Sequence, residues 1–378
     1  MSSISSLFTP LKVGSITIRN RVLMSALTRN RAIKTVPNDV MAEYYGQRAA
    51  GGAALIASEG TLVSRQGTEW PYAPGIWNKK QVAEWKKVVD TVHDNGSYIY
   101  AQLWHVGRVA HPDAPEQKLA GTPVYAPSAI AARGGKFRHI PGLPGYVTPT
   151  AIEDPWIIVA EFKQAAINAH EAGFDGVELH GANGYLVNQF LDSTANKRTD
   201  QWGGSIENRA RFGLEVLKVM IEVFGENVAL KVNPAGGYND VGMPLQETLD
   251  TYTYFLSEAD KLGLAYVVLV RYVPMYDVEY DGKKRATVHD VLESYRPVFK
   301  NAKVFLNAAV TPEEGAEIVA AGKADGIVIG FNWITHPDLV KRVQNGRALD
   351  NVPDIKHLQW GKDDSALSVG YTDYPVAQ

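Results

Sequence analysis

The chain contains no cysteine, which excludes a disulfide framework, thiolate catalysis, a cysteine zinc site and an iron–sulfur cluster together. It has no long apolar run either. The longest, LAYVVLV at 264–270, is about seven residues against the ~20 of a membrane helix. The opening stretch MSSISSLFTPLKVG has neither the basic region nor the apolar core of a secretory leader. An excess of positive charge is also missing. With 38 basic and 41 acidic residues and a net charge of -3, no field gathers nucleic acid or an anionic membrane surface. These absences predict a soluble, cytoplasmic protein whose partner is a small-molecule substrate, with no nucleic-acid or membrane partner; they leave the oligomeric state open.

The hydrophobic share of 45% over 378 residues is ordinary for a globular chain. At that length roughly three quarters of the extended-chain surface can be buried. Eight apolar, β-branched or aromatic runs of strand length occur at 22–27, 53–58, 98–104, 175–180, 228–233, 265–270, 303–308 and 325–330. Their nearly continuous apolar character is that of strands covered on both faces. Helical patterns lie between them, at 40–50, 80–94, 155–172, 206–224, 246–262, 287–298, 312–321 and 337–345. Asp154-Pro155 and Thr311-Pro312-Glu313-Glu314 are helix starts, each an N-cap residue followed by proline at the first helical position.

Eight strand–helix units in one series predict a single (β/α)8 barrel over 1–378. A doubly wound open sheet is the competing reading. Against it, the first βα turn has no G-x-G-x-x-G and no composition shift divides the chain. Within 1–20, a hairpin around Gly14 is expected to cap the barrel floor. Residues 107–150 are too long for an ordinary βα loop and read as an excursion over the active-site end. Residues 347–378 read as an irregular tail.

Reacting groups of such barrels sit at the C-terminal ends of the strands. Those ends carry Thr28, Gly60, Gln102, Trp104, His180, Lys231, Asn233, Arg271, Asn307, Gly330 and Phe331, with Asn183 and Tyr185 just beyond His180. No pair of carboxylates appears there, which argues against glycosidase chemistry. His105 and His111 lack an evident third ligand, so no metal site is expected. What remains is amides, hydroxyls, one lysine and one imidazole, groups suited to binding a planar polar ring or a carbonyl. His180 and Asn183 can converge as two donors on one oxygen, and the Tyr185 phenol, neutral at pH 7, can deliver a proton. A packed histidine and a core aromatic are the plainer alternative for His180 and Tyr185.

The segment HGANGYLVNQFLDSTANKRTDQWGGSIENRARF at 180–212 closely resembles the signature of the old yellow enzyme family, FMN-dependent ene reductases on a (β/α)8 barrel. LFTPLKVG (7–14), SALTRNRA (25–32), APGIW (73–77), AQLWHVGR (101–108) and GYTDYP (370–375) are similar to further family segments. The resemblance implies FMN as bound cofactor and NADPH or NADH as reductant. It implies that Ala26, Thr28, Gly60, Gln102 and Lys231 border the flavin ring and that Ala309 and Gly330 lie at its phosphate. His180 and Asn183 would hold the carbonyl oxygen of an α,β-unsaturated substrate and Tyr185 would protonate its α-carbon. Trp104 and Tyr371 would shape the substrate cavity.

The likeness departs from the family at a few positions, most of them at the phosphate. Lys231 stands where arginine is usual, Ala308 and Ala309 where two glycines are usual, and Phe331 where an arginine would meet phosphate; Ala26 stands where proline is usual. Each alanine adds a methyl where backbone should approach the phosphate, so a weakened phosphate grip is expected. A flavin-independent double-bond isomerase or cyclase on the same scaffold is the alternative function.

Overall fold

The computed structural model describes residues 4–66, 70–135, 140, 142, 144–361 and 365–377. Eight parallel strands form the frame: β1 (Val22–Met24), β2 (Leu55–Ala57), β3 (Tyr98–Trp104), β4 (Gly176–Gly181), β5 (Val228–Val232), β6 (Tyr266–Val270), β7 (Lys303–Asn307) and β8 (Gly326–Ile329). Each pairs in parallel with its neighbour, and β8 returns to β1 through Ile329 opposite Met24, so the sheet closes. An outer-layer helix follows each strand: α1 (Asp39–Ala50), α2 (Lys79–Asp94), α3 (Pro155–Glu171), α4 (Ile206–Phe224), α5 (Leu245–Asp260), α6 (Val291–Tyr295), α7 (Pro312–Ala320) and α8 (Leu339–Gln344), with further short helices at Pro115–Ala120, Leu186–Leu191 and Phe331–Thr335. This is the (β/α)8 barrel the alternation predicts.

The period-2 geometry of a strand sorts its residues between two cores. Val177, Leu179, Leu230 and Val267 face outward into the layer shared with Trp85, Phe162, Leu217 and Phe255 of the helices. Full burial of each such side chain stabilises the fold by roughly 1.5–3 kcal/mol. The intervening positions point inward. Ala229, Tyr266 and Phe305 fill the lower barrel, where Val13 and Ile18 of the hairpin Leu11–Val13/Ile16–Ile18 close the floor. Gly14 turns this hairpin at φ +56, and a Cβ there would stand 2.5 Å from Asn227 Oδ1. Higher up, the same inward row places Glu178, His180 and Lys231 at the opposite mouth.

Two boundaries differ from the sequence reading. The helix expected over 287–298 is one α-helical turn at Val291–Tyr295 followed by a 3-10 turn at Arg296–Val298, because Asp290 caps its start and Pro297 cannot donate onward. The strand expected over 22–27 ends at Met24, and Ser25 to Thr28 leave the sheet to border the cavity. The excursion after β3 holds a helix at Pro115–Ala120 and a two-residue strand, Tyr125–Ala126, paired with Thr150–Ala151. Its residues 136–139, 141 and 143 lie outside the described ones. None of its described residues lines the cavity. Instead Arg133 ion-pairs with Asp240 at 2.8 Å and Tyr146 donates to Asn239 at 3.2 Å, bracing the loop after β5.

Candidate active site

A cavity of about 430 Å³ opens at the C-terminal ends of the strands. Ser25, Ala26, Thr28, Gln102, Trp104, His180, Asn183, Tyr185 and Lys231 border one part of it; Arg271, Asn307, Ala308, Ala309, Gly330 and Phe331 border another. Most of the residues expected from sequence are therefore brought together.

His180 ends β4, in register with Lys231 of β5. Burial, and then the Lys231 charge, push its pKa well below the ordinary histidine value, so the ring is neutral at pH 7. The Ala182 amide donates to Nδ1 at 3.3 Å, which leaves the ring proton on Nε2 as a donor. Asn183 adopts a left-handed backbone at φ 58, a conformation asparagine tolerates better than most residues. The Asn239 side chain holds its carbonyl at 2.9 Å, and Asn233 Nδ2 approaches its Oδ1 at 3.5 Å, leaving Asn183 Nδ2 as the outward donor. Tyr185 packs edge-on to both the Trp104 indole, at 4.9 Å, and the His180 ring, at 5.0 Å. The rest of the motif is bracing: Asn188 accepts from Gly184 N–H, Gln189 accepts from Arg108 N–H and donates to Gly184 O, and Asp192 accepts from Gly242 N–H.

Lys231 donates to Ser25 Oγ at 3.2 Å. Burial lowers its pKa, and the charge of Glu178 works in the opposite direction. The sequence reading missed Glu178. It lies two residues before His180 on the same inward row, buried, and accepts from Gln102 Nε2 at 2.7 Å and from the Tyr266 hydroxyl at 2.9 Å. Burial raises its pKa, while Lys231 and these two donors oppose the rise. Its spacing from His180 was the available signal.

At the other end, Ala308 and Ala309 hold φ values of 84 and 49. Both lie in the left-handed region, which costs an L-residue about 1–2 kcal/mol. Arg271, directly after β6, donates from Nε to Ala308 O at 2.8 Å and from Nη2 to Ala309 O at 2.6 Å, and pairs with Glu314 through both Nη atoms. Phe331 borders the same end as a half-exposed residue.

Two expected site residues lie elsewhere. Tyr371 is fully buried and stacked on Tyr44 at 4.0 Å, with the Arg31 guanidinium 4.4 Å from its ring centre. It does not border the cavity, because the tail packs against α1 and is held there by Arg29 and Arg31, which donate to the carbonyls of Gly370, Leu367 and Val369. Gly60 is not among the residues that border the cavity; it packs against Trp104, where a Cβ would stand 2.5 Å from the indole. His105 accepts from Gly107 N–H and meets Gln66 Oε1, and no group of three or more potential ligands able to hold a metal occurs among the described residues.

Residues 6–350 match the model of the NADH:flavin oxidoreductase / NADH oxidase family. The chain belongs to this family. The NADP-dependent oxidoreductase lnbE of Aspergillus flavus is 37% identical over 99% of this chain and 97% of its own length. The structure of morphinone reductase superposes with a TM-score of 0.87 at 38% identity, covering 98% of this chain and 96% of that one. The old yellow enzyme homologue from Zymomonas mobilis superposes with a TM-score of 0.86 at 33% identity, covering 98% and 99%. The chain is thus an old yellow enzyme family member and an oxidoreductase of the NADH/NADPH:flavin type, with FMN as its flavin and a nicotinamide coenzyme as reductant. No helix among the described residues is long and apolar enough to cross a membrane.

The residues present fit the flavin ring. Gln102, Thr28 and the Lys231 ammonium offer hydrogen-bonding groups to a ring bearing carbonyl oxygens and nitrogens. Two of the lining residues each keep a buried polar atom without a protein partner, Trp104 Nε1 and Asn233 Oδ1. At the other end, where the resemblance puts the phosphate, methyls and a phenyl ring stand, and Arg271, the cation bordering it among the described residues, is already paired.

Proposed function

We propose that the chain reduces the carbon–carbon double bond of an α,β-unsaturated carbonyl compound. The convergence of a neutral imidazole donor, an amide donor and a phenol on one wall of the cavity carries this reading. Nε2–H of His180 and Nδ2–H of Asn183 bind the carbonyl oxygen. By withdrawing electron density they make the β-carbon electrophilic. FMN, when bound and reduced, supplies the hydride. The Tyr185 hydroxyl gives its proton to the α-carbon and is reprotonated from water, completing a saturated ketone or aldehyde. The neighbouring Trp104 ring limits water around the reacting carbons.

The test supplies the full-length protein with FMN, NADPH and 2-cyclohexenone and identifies the product. The expected result is cyclohexanone, formed with one NADPH oxidised per molecule. A product with a shifted double bond and no NADPH consumed would overturn the reading in favour of proton-transfer isomerisation.

A further inference from the structure

We infer that this chain does not rely on the phosphate group to hold its flavin, so that riboflavin and FMN bind with nearly equal affinity. The inference rests on the flavin-dependent reading above and concerns the end of the cavity that the chemistry does not use. Among the described residues lining the cavity, the cationic side chains are Lys231 and Arg271. Lys231 is committed to the other end, where it donates to Ser25.

Arg271 is committed as well. Nε is bonded to Ala308 O at 2.8 Å, Nη2 to Ala309 O at 2.6 Å and to Glu314 Oε2 at 2.9 Å, and Nη1 to Glu314 Oε1 at 2.5 Å. Four of its five N–H groups are used, and Glu314 matches its charge in a bidentate pair. This end therefore presents no net positive charge to a dianion. Phe331 and the Ala308 and Ala309 methyls supply apolar surface beside Gly330. A phosphate placed against them gives up hydration without a charged partner in return. The flavin ring and its polyhydroxyl chain are common to FMN and riboflavin, so the contacts at the Gln102 and Lys231 end serve both alike.

The experiment titrates the flavin-free, full-length protein with riboflavin and with FMN, following the quenching of flavin fluorescence. A ratio of dissociation constants below tenfold supports the inference; FMN binding tenfold or more tighter than riboflavin overturns it and leaves the flavin-dependent function intact. If neither flavin binds, the inference and the functional reading fall together. Two variants place charge at this end. Phe331→Arg, at a half-exposed position, is expected to tighten FMN at least tenfold with riboflavin unchanged, the scale of one charge-assisted hydrogen bond. Glu314→Gln leaves Arg271 unmatched and is expected to tighten FMN several-fold, an effect that weakens as salt is raised. Equal gains for both flavins in either variant would mean that the substituted group does not face the phosphate, and would overturn the inference.

Discussion

Strand β4 and the loops after β7 and β8 border one cavity, but they follow different rules. Along the β4 segment the backbone that carries the chemistry is held mainly by partners a few residues away: Ala182 N–H fixes the His180 tautomer, and Asn188 and Gln189 hold the turn that carries Asn183 and Tyr185, with Asn233 and Asn239 of the loop after β5 closing on Asn183. Side chains and backbone there are one unit. At the far end the two come apart. Ala308 and Ala309 keep a backbone that suits glycine, and the Arg271 bonds to their carbonyls offset part of that strain. The shape of the loop survives there while the charge that would meet a phosphate is matched by Glu314. Backbone form follows the barrel; the chemistry at each end depends on the side chains mounted on it.

The comparison can be broken first at the β4 wall. Replacing both His180 and Asn183 with alanine removes two donors from one oxygen. Phenol binding to the flavin-loaded protein should weaken ~100-fold or more, at roughly 1.5 kcal/mol per bond, with the loss of any long-wavelength charge-transfer band as its sign. Phenol affinity equal to that of the parent would remove both residues from the oxygen site. A smaller effect sharpens the other side. Ala308→Gly and Ala309→Gly should each stabilise the protein by about 0.5–1 kcal/mol in thermal denaturation, since the left-handed strain relieved exceeds the added freedom of the unfolded chain. If both destabilise, the strain assigned to this loop is absent.

Much of this was legible in the sequence, for physical reasons that also mark where legibility stops. Eight apolar runs separated by amphipathic helices admit few closed arrangements, and strand ends in a barrel converge by construction. Hence His180, Asn183, Tyr185 and Lys231 could be placed together before any coordinates. Tyr371 could not. Its position depends on the tail folding back onto α1, through contacts of Arg29, Arg31 and Arg48 with carbonyls and aromatic faces far away in sequence. Glu59, buried beside Tyr45 and the Arg29 amide with its pKa pushed up to about 7 by burial, belongs to the same brace; the sequence placed it at the end of the second strand without revealing these partners. Arg271 was visible as a residue at the end of β6, but its pairing with Glu314 spans 43 positions, and no local pattern encodes that.

In the proposed reaction the β4 wall acts on the substrate and not on the flavin's own reduction. Rapid-mixing kinetics of Tyr185→Phe, with FMN saturating, test it most directly because the two half-reactions are followed separately. The account predicts that bleaching of the flavin by NADPH proceeds at nearly the parent rate while its reoxidation by 2-cyclohexenone slows by ~10²-fold, the scale of a positioned acid. An unchanged reoxidation rate, or an equal loss in both half-reactions, would contradict it.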